Sequence, residues 1–226
     1  MALSRGKREE GKCLLSGVCQ EGGKEEGQHG YVPCVSESDH HKFDGDGEAY
    51  KVLKEECSEL FAESGDQPEV CCNGEELMAI QSSISVMTKF LSDCPSCAAN
   101  FREIYCHFSC APNQNEFIEI VQSVPSTMPG KRMVSAMNYY VDGTFIQALW
   151  DSCKTSQVTQ KFTKMGSGCE KNCTVQDFLL AISKPSPTTP YSVNMITGGA
   201  KGFKPALLTP RTCDDGCDAK CGLESI

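Results

Sequence analysis

The sequence predicts an α+β fold: a helix-dominated single domain with a small mixed β-sheet, stapled by disulfides. Three observations carry this. Sixteen cysteines, an even number, are spread along the 226 residues. Several segments repeat apolar residues at helical spacing, most regularly residues 75–92. Residues 191–197 alternate as a strand does, just after a Pro-rich stop at residues 184–190.

The cysteines also report on compartment. Cytosolic thiols are kept reduced, so chains rarely carry this many there. An even count reads as a disulfide framework made in an oxidising environment. Cys71 and Cys72 are adjacent and should take different partners, since a bond between neighbours would strain the peptide. Two bridges leaving one point tie two other segments together there. A zinc reading exists, because Cys94 and Cys97 form a CxxC and Cys106 and Cys110 follow on the same helical stretch. The other twelve cysteines lack such pairing, so structural disulfides are favoured and no metal is expected. A thioredoxin-like role for Cys94 and Cys97 needs a βαβ context, and no strand precedes them.

The hydrophobic share is 39% and the mean hydropathy −0.32, which suits a soluble globular chain with a real core. No apolar run approaches the length that spans a bilayer. Residues 1–12 are charged and lack the apolar stretch of a signal peptide. Against the cysteine evidence, the simplest expectation is that the chain begins within a mature lumenal protein. A net charge of −9 and a pI near 5.0 argue against a nucleic-acid partner. Asn172-Cys173-Thr174 is a glycosylation sequon, as suits the secretory pathway.

Along the chain, residues 22–30 and 37–47 are polar and Gly-rich and read as loops. A helix begins near Asp46, with Tyr50, Leu53, Cys57, Leu60 and Phe61 on one face. In residues 75–92, Leu77, Ile80, Ile84, Met87 and Leu91 form the apolar stripe. Pro95 sits just inside the next helix, where proline is tolerated, and Phe101, Ile104, Tyr105 and Phe108 make its apolar face. Residues 116–121 read as a short helix, and residues 133–150 as a longer one carrying Val134, Met137, Val141, Phe145 and Leu149. Residues 157–168 read as a polar loop. Thr174 and Asp177 resemble a capping box opening a helix with Val175, Phe178, Leu179 and Ile182. The tail cysteines Cys213, Cys217 and Cys221 lie in a segment too short for a core of its own, so it must be stapled to the body.

No catalytic constellation emerges: no nucleophile elbow, zincin helix, phosphate loop or dinucleotide fingerprint occurs. Adjacent His40 and His41 lie in an acidic loop and read as solvated residues rather than ligands. Glu55, Glu56, Glu75 and Glu76 fall at helix positions that normally face solvent. A binding function, not an enzyme, is the default, with no cofactor.

The cysteine order, with Cys71-Cys72, Cys94-Pro-Ser-Cys97, Cys106, Cys110 and then Pro112-Asn113-Gln114, resembles the N-terminal lumenal sterol-binding domain of the large Niemann–Pick type C membrane protein family, including its intestinal sterol-uptake paralogue. The likeness runs from Cys13 to about Cys221. It implies residues 1–12 as an appended or flexible N-terminal segment, 13–221 as the sterol-binding lumenal domain and 222–226 as the start of a linker. It also implies binding of one 3β-hydroxysterol in a deep apolar pocket, hydroxyl end buried. Further implied are receipt from a small soluble sterol-carrier protein, delivery to the rest of a multi-span membrane transporter, and a late endosomal, lysosomal or apical plasma-membrane setting. The alternative is a cysteine-rich receptor-type ectodomain that binds a protein.

By the same resemblance the pocket residues are Glu76, Ile80, Ser83, Phe108, Pro190, Tyr191 and Val193. Positions that are polar in the family are Pro33 and Val18 here, which leaves Glu76 as the main polar contact for the hydroxyl. Disulfides are implied between Cys13 and Cys71, Cys19 and Cys34, Cys57 and Cys106, Cys72 and Cys110, Cys97 and Cys153, and Cys169 and Cys173. Cys94 is assigned to Cys217, leaving Cys213 for Cys221. The helix 175–182 and the loop 185–190, with Leu180 and Ala181 exposed, are expected to form a lid, and transfer is expected to favour mildly acidic pH.

Overall fold

The computed structural model describes residues 11–21, 31–43, 47–61, 65–186, 189–200 and 202–211. The strands are β1 (Lys12–Glu21), β2 (Tyr31–Asp39), β3 (His41–Lys42), β4 (Glu69–Val70), β5 (Ile118–Pro125), β6 (Arg132–Val141) and β7 (Ser192–Thr197). The helices are α1 (Glu48–Glu56), α2 (Gly74–Phe90), α3 (Pro95–Cys110), α4 (Gly143–Cys153), α5 (Gln157–Ser167) and α6 (Val175–Ile182), with short 3-10 turns at Ser58–Phe61 and Gln114–Glu116. The predicted α+β class, with a mixed sheet, is what the chain adopts.

The main sheet runs β1-β2-β6-β5, with β7 also on β6. Its antiparallel pairs are joined by a parallel one, Ala136 to Val141 of β6 against Ser192 to Thr197 of β7. A parallel pair needs a long crossover, and α4, α5 and α6 supply it. β2 pairs with β6 through Cys34 opposite Met133, leaving the rest of that edge to β7.

Four sequence readings are corrected. Residues 133–150 are not one helix but β6 followed by α4. β6 is buried on both faces along its second half, which erases the two-residue alternation, and Val134, Met137 and Val141 then mimic helical spacing. The true helix starts where Asp142 Oδ1 accepts from the amides of Thr144 and Phe145 at 2.8 and 3.3 Å. Residues 116–121 are not a helix: Ile118 to Pro125 pair with β6 from Tyr139 to Arg132. Residues 157–168 are α5, capped by Ser156 and closed by left-handed Gly168. Residues 37–43 are no loop, since β2 continues to Asp39 and β3 follows. The reading of residues 22–30 as a loop falls outside the described residues.

Two buried clusters form the interior. One lies on the main sheet and includes Leu15, Phe108, Phe117, Met137, Tyr139, Phe145, Phe178, Tyr191 and Val193. The other lies between α1, α2 and α3 and includes Tyr31, Val52, Leu53, Leu77, Ile80 and Ile84. Tyr105 of α3 packs against both. Six disulfides join described cysteines, in the pairs the resemblance implies. Adjacent Cys71 and Cys72 lead to Cys13 of β1 and Cys110 at the end of α3. Cys94 is also disulfide-bonded, but the tail cysteines assigned to it and to one another lie outside the described residues. Among the described residues no helix is long and apolar enough to cross a membrane.

Candidate functional site

α2 brings Glu76, Ile80 and Ser83 to one face, one turn apart, and all three are at most 1% exposed. The expectation that Glu76 faces solvent is therefore corrected, while Glu55 and Glu75 are exposed. Its carboxylate closes a capping box. Asn73 Oδ1 accepts from the Glu76 amide, and Glu76 Oε2 accepts from the Asn73 amide, both at 2.9 Å. The Gly17 amide of β1 is a further donor. Burial raises the Glu76 carboxyl above its ordinary value, and the Asn73 and Gly17 amides oppose the rise.

Beside Glu76 lies a polar group that sequence reasoning missed. Tyr31 of β2 shares a hydrogen bond with Ser109 Oγ of α3 at 3.3 Å. Burial, reinforced by the charge of Glu76, holds the Tyr31 phenol neutral. Tyr191 is likewise kept neutral by burial and by proximity to Tyr31, Tyr105 and Glu76. Tyr105 hydrogen-bonds Thr189 Oγ1, and its ring lies tilted against Phe108 with centroids 5.3 Å apart. The side chains of Glu76, Tyr31, Tyr105, Ser109 and Tyr191 thus converge where the two clusters meet. Val18 and Pro33 are partners across β1 and β2, next to Gly17 and two residues from Tyr31, so the hydroxyl pair stands close to those apolar positions.

Of the seven sequence-derived candidates, Glu76, Ile80 and Ser83 come from α2, Phe108 from α3, and Tyr191 and Val193 from the start of β7. Ile80 belongs to the helical cluster, and Phe108, Tyr191 and Val193 to the sheet cluster. Pro190 is exposed and does not join them. Leu180 is 50% exposed, but Ala181 is not exposed as expected. It is buried under α5, where a Cβ added to Gly166 would lie 2.4 Å from the Ala181 Cβ. Asn172 is exposed in the loop between α5 and α6, with a φ of 54°.

A cleft of about 910 Å³ opens on the other side of α3, lined among others by Glu56, Leu91, Glu103, His107 and Leu208, and by none of the seven candidates. Its rim charges are mutually paired as Arg102 with Glu56, Arg211 with Glu59 and Lys204 with Glu116. Glu103 accepts from the Thr209 amide at 2.7 Å. Burial, helped by the charge of Glu59, pushes Glu103 up to about 7. Burial pulls His107 down to about 4, and its Nδ1 shares a 3.0 Å hydrogen bond with the Tyr139 hydroxyl. A rim of paired charges does not suit an almost wholly apolar ligand.

Residues 10–222 match the family model described as Niemann-Pick C1 N terminus. Similar curated proteins include NPC intracellular cholesterol transporter 1 homolog 1 of Caenorhabditis elegans, 28% identical over 63% of this chain and 11% of that protein. NPC intracellular cholesterol transporter 1 of Sus scrofa is 24% identical over 77% of this chain and 14% of its own length. NPC1-like intracellular cholesterol transporter 1 of Homo sapiens is 28% identical over 61% and 10%. The chain therefore spans a small fraction of each relative, and the relatives' names describe transporters rather than enzymes. With the family model covering nearly its whole length, the chain belongs to the Niemann-Pick C1 N-terminus family.

Proposed function

We propose that this chain binds a single cholesterol-like 3β-hydroxysterol at the seam between its two clusters and passes it on as the lumenal, N-terminal domain of a larger membrane sterol transporter. The observation that carries the reading is the buried polar group of Glu76, Tyr31 and Ser109 at the end of an otherwise apolar seam. A sterol is apolar except for one hydroxyl, so burial drives its binding and that hydroxyl needs a polar partner. Glu76 already accepts from two amides, so the Tyr31 and Ser109 hydroxyls complete the site: each can donate and accept. Ile80 and Ser83 form one wall, and Phe108, Tyr191 and Val193 the other. These side chains are almost fully covered, so entry requires the seam to part. Delivery by a small soluble sterol-carrier protein and onward transfer to the rest of the transporter fit this reading.

Binding of radiolabelled cholesterol to the purified chain tests it. Saturable one-to-one binding is expected. Tyr31→Phe and Glu76→Leu should each weaken it about tenfold, the loss of one buried hydrogen-bond partner. Absence of saturable binding would overturn the reading. A second reading, a protein-binding ectodomain, is favoured by one observation, the exposed apolar residues of α5 and α6. It predicts no sterol binding at all.

A further inference from the structure

α5 is amphipathic in the reverse sense. Its buried side chains are Thr159 and Thr163, with Gly166 pressed on Ala181. Its large apolar residues face outward: Val158 is 43% exposed, Phe162 39% and Met165 77%. They recur at helical spacing and so form one stripe. Leu180 of the adjoining α6, half exposed, belongs to the same helix pair. A stripe of this kind on a water-facing helix marks an interaction surface.

The charge around it decides the partner. The whole chain carries −9, yet residues 151–184 hold five lysines, Lys154, Lys161, Lys164, Lys171 and Lys184, against three carboxylates, Asp151, Glu170 and Asp177, with Lys154 paired to Asp151 at 2.6 Å. All five lysines are exposed. Asp177 is engaged in its capping box with Thr174. A second copy of this chain would bring two lysine-rich faces together, which repels. Apolar residues bordered by lysines on one helix face are the pattern of a helix that lies in the headgroup region of an anionic bilayer.

We infer that the α5–α6 helix pair docks this protein on an anionic lipid surface, with Val158, Phe162 and Met165 entering the headgroup boundary and the lysines meeting lipid charge. This does not rest on the sterol reading. The test is co-sedimentation of the full chain with vesicles of phosphatidylcholine alone and of equimolar phosphatidylcholine and phosphatidylserine. Several-fold more protein should bind the anionic vesicles, less as salt is raised. F162S/M165S and K161E/K164E should each lose most of that binding, while keeping the parent circular dichroism and melting temperature. V121S, an equally exposed apolar change on β5, should bind vesicles as the parent does. Equal binding to both vesicles, no binding by the parent, or double variants that bind like the parent would each overturn the inference. So would a parent that ignores vesicles but self-associates, or that pairs with an acidic protein through the same residues.

Discussion

The two sides of α3 hold carboxylates that burial disturbs in the same direction but that the fold supports differently. On the inner side, Glu76 is tied by amides of two elements, Asn73 at the start of α2 and Gly17 of β1. On the outer side, Glu103 is tied to one amide, Thr209, in the segment that crosses the cleft, while Asn100 holds that segment at Arg211. The inner carboxylate is part of the architecture. The outer one stands beside a histidine shifted the opposite way, and so responds to pH. Burial alone does not define a switch; what matters is how many neighbours the charged form has been given.

The largest effect that would break this contrast is at Glu76. Glu76→Leu leaves the part-buried Asn73 amide without its acceptor and removes the carboxylate facing Gly17, a loss of about 1–2 kcal/mol. Glu76→Gln keeps an acceptor and should lose less than half of that. Urea unfolding at neutral pH measures both, and a Leu variant as stable as Gln would mean that the capping box contributes little.

The pH dependence of the outer pair comes next. Glu103 rises from 4.5 to about 7 on folding, so the folded chain retains a proton that the unfolded chain has lost. Its contribution is complete below 4.5 and is lost as pH rises through about 7. His107 falls from 6.5 to about 4, so its contribution is present above 6.5 and lost as pH falls towards 4. Between 4.5 and 6.5 the two slopes oppose, and the parent should vary little there. Glu103→Gln should become steadily less stable on acidification through that window, and His107→Phe steadily more stable. Melting temperatures at several pH values resolve the slopes. Parallel profiles for the two variants would refute the pairing.

The smallest effect belongs to Tyr31. Tyr31→Phe removes one neutral hydrogen bond, to Ser109, and should reduce stability by about 1 kcal/mol. Its sterol affinity should also fall about tenfold, and a variant that keeps the parent affinity would make this hydroxyl a merely structural one.

Much of the helical frame was legible locally. The Thr174 cap, Pro95 at a first turn and the stripe of α2 each lie within a few residues of the feature they signal. The sheet was not. β6 is buried on both faces and loses its alternation, and β1 is cut by the register irregularities around Gly17. α5 escaped because its stripe of Val158, Phe162 and Met165 is short and set in a polar segment, although Ser156 and Gly168 bracket it. At the site, Ile80 and Phe108 were readable as an inward stripe on their helices, and the family likeness supplied Glu76. Tyr31 had no local mark.

The sequence by itself determined the disulfide framework, the helices α2, α3 and α6 and the family, because caps, periodicity and cysteine order are properties of short stretches and their spacing. Only the tertiary structure decided that β6 is a central strand, that Glu76 is buried and that Tyr31 meets Ser109. Those facts depend on which distant segments touch, 78 residues apart for the Tyr31–Ser109 pair, and burial and hydrogen-bond partnership are created by that contact.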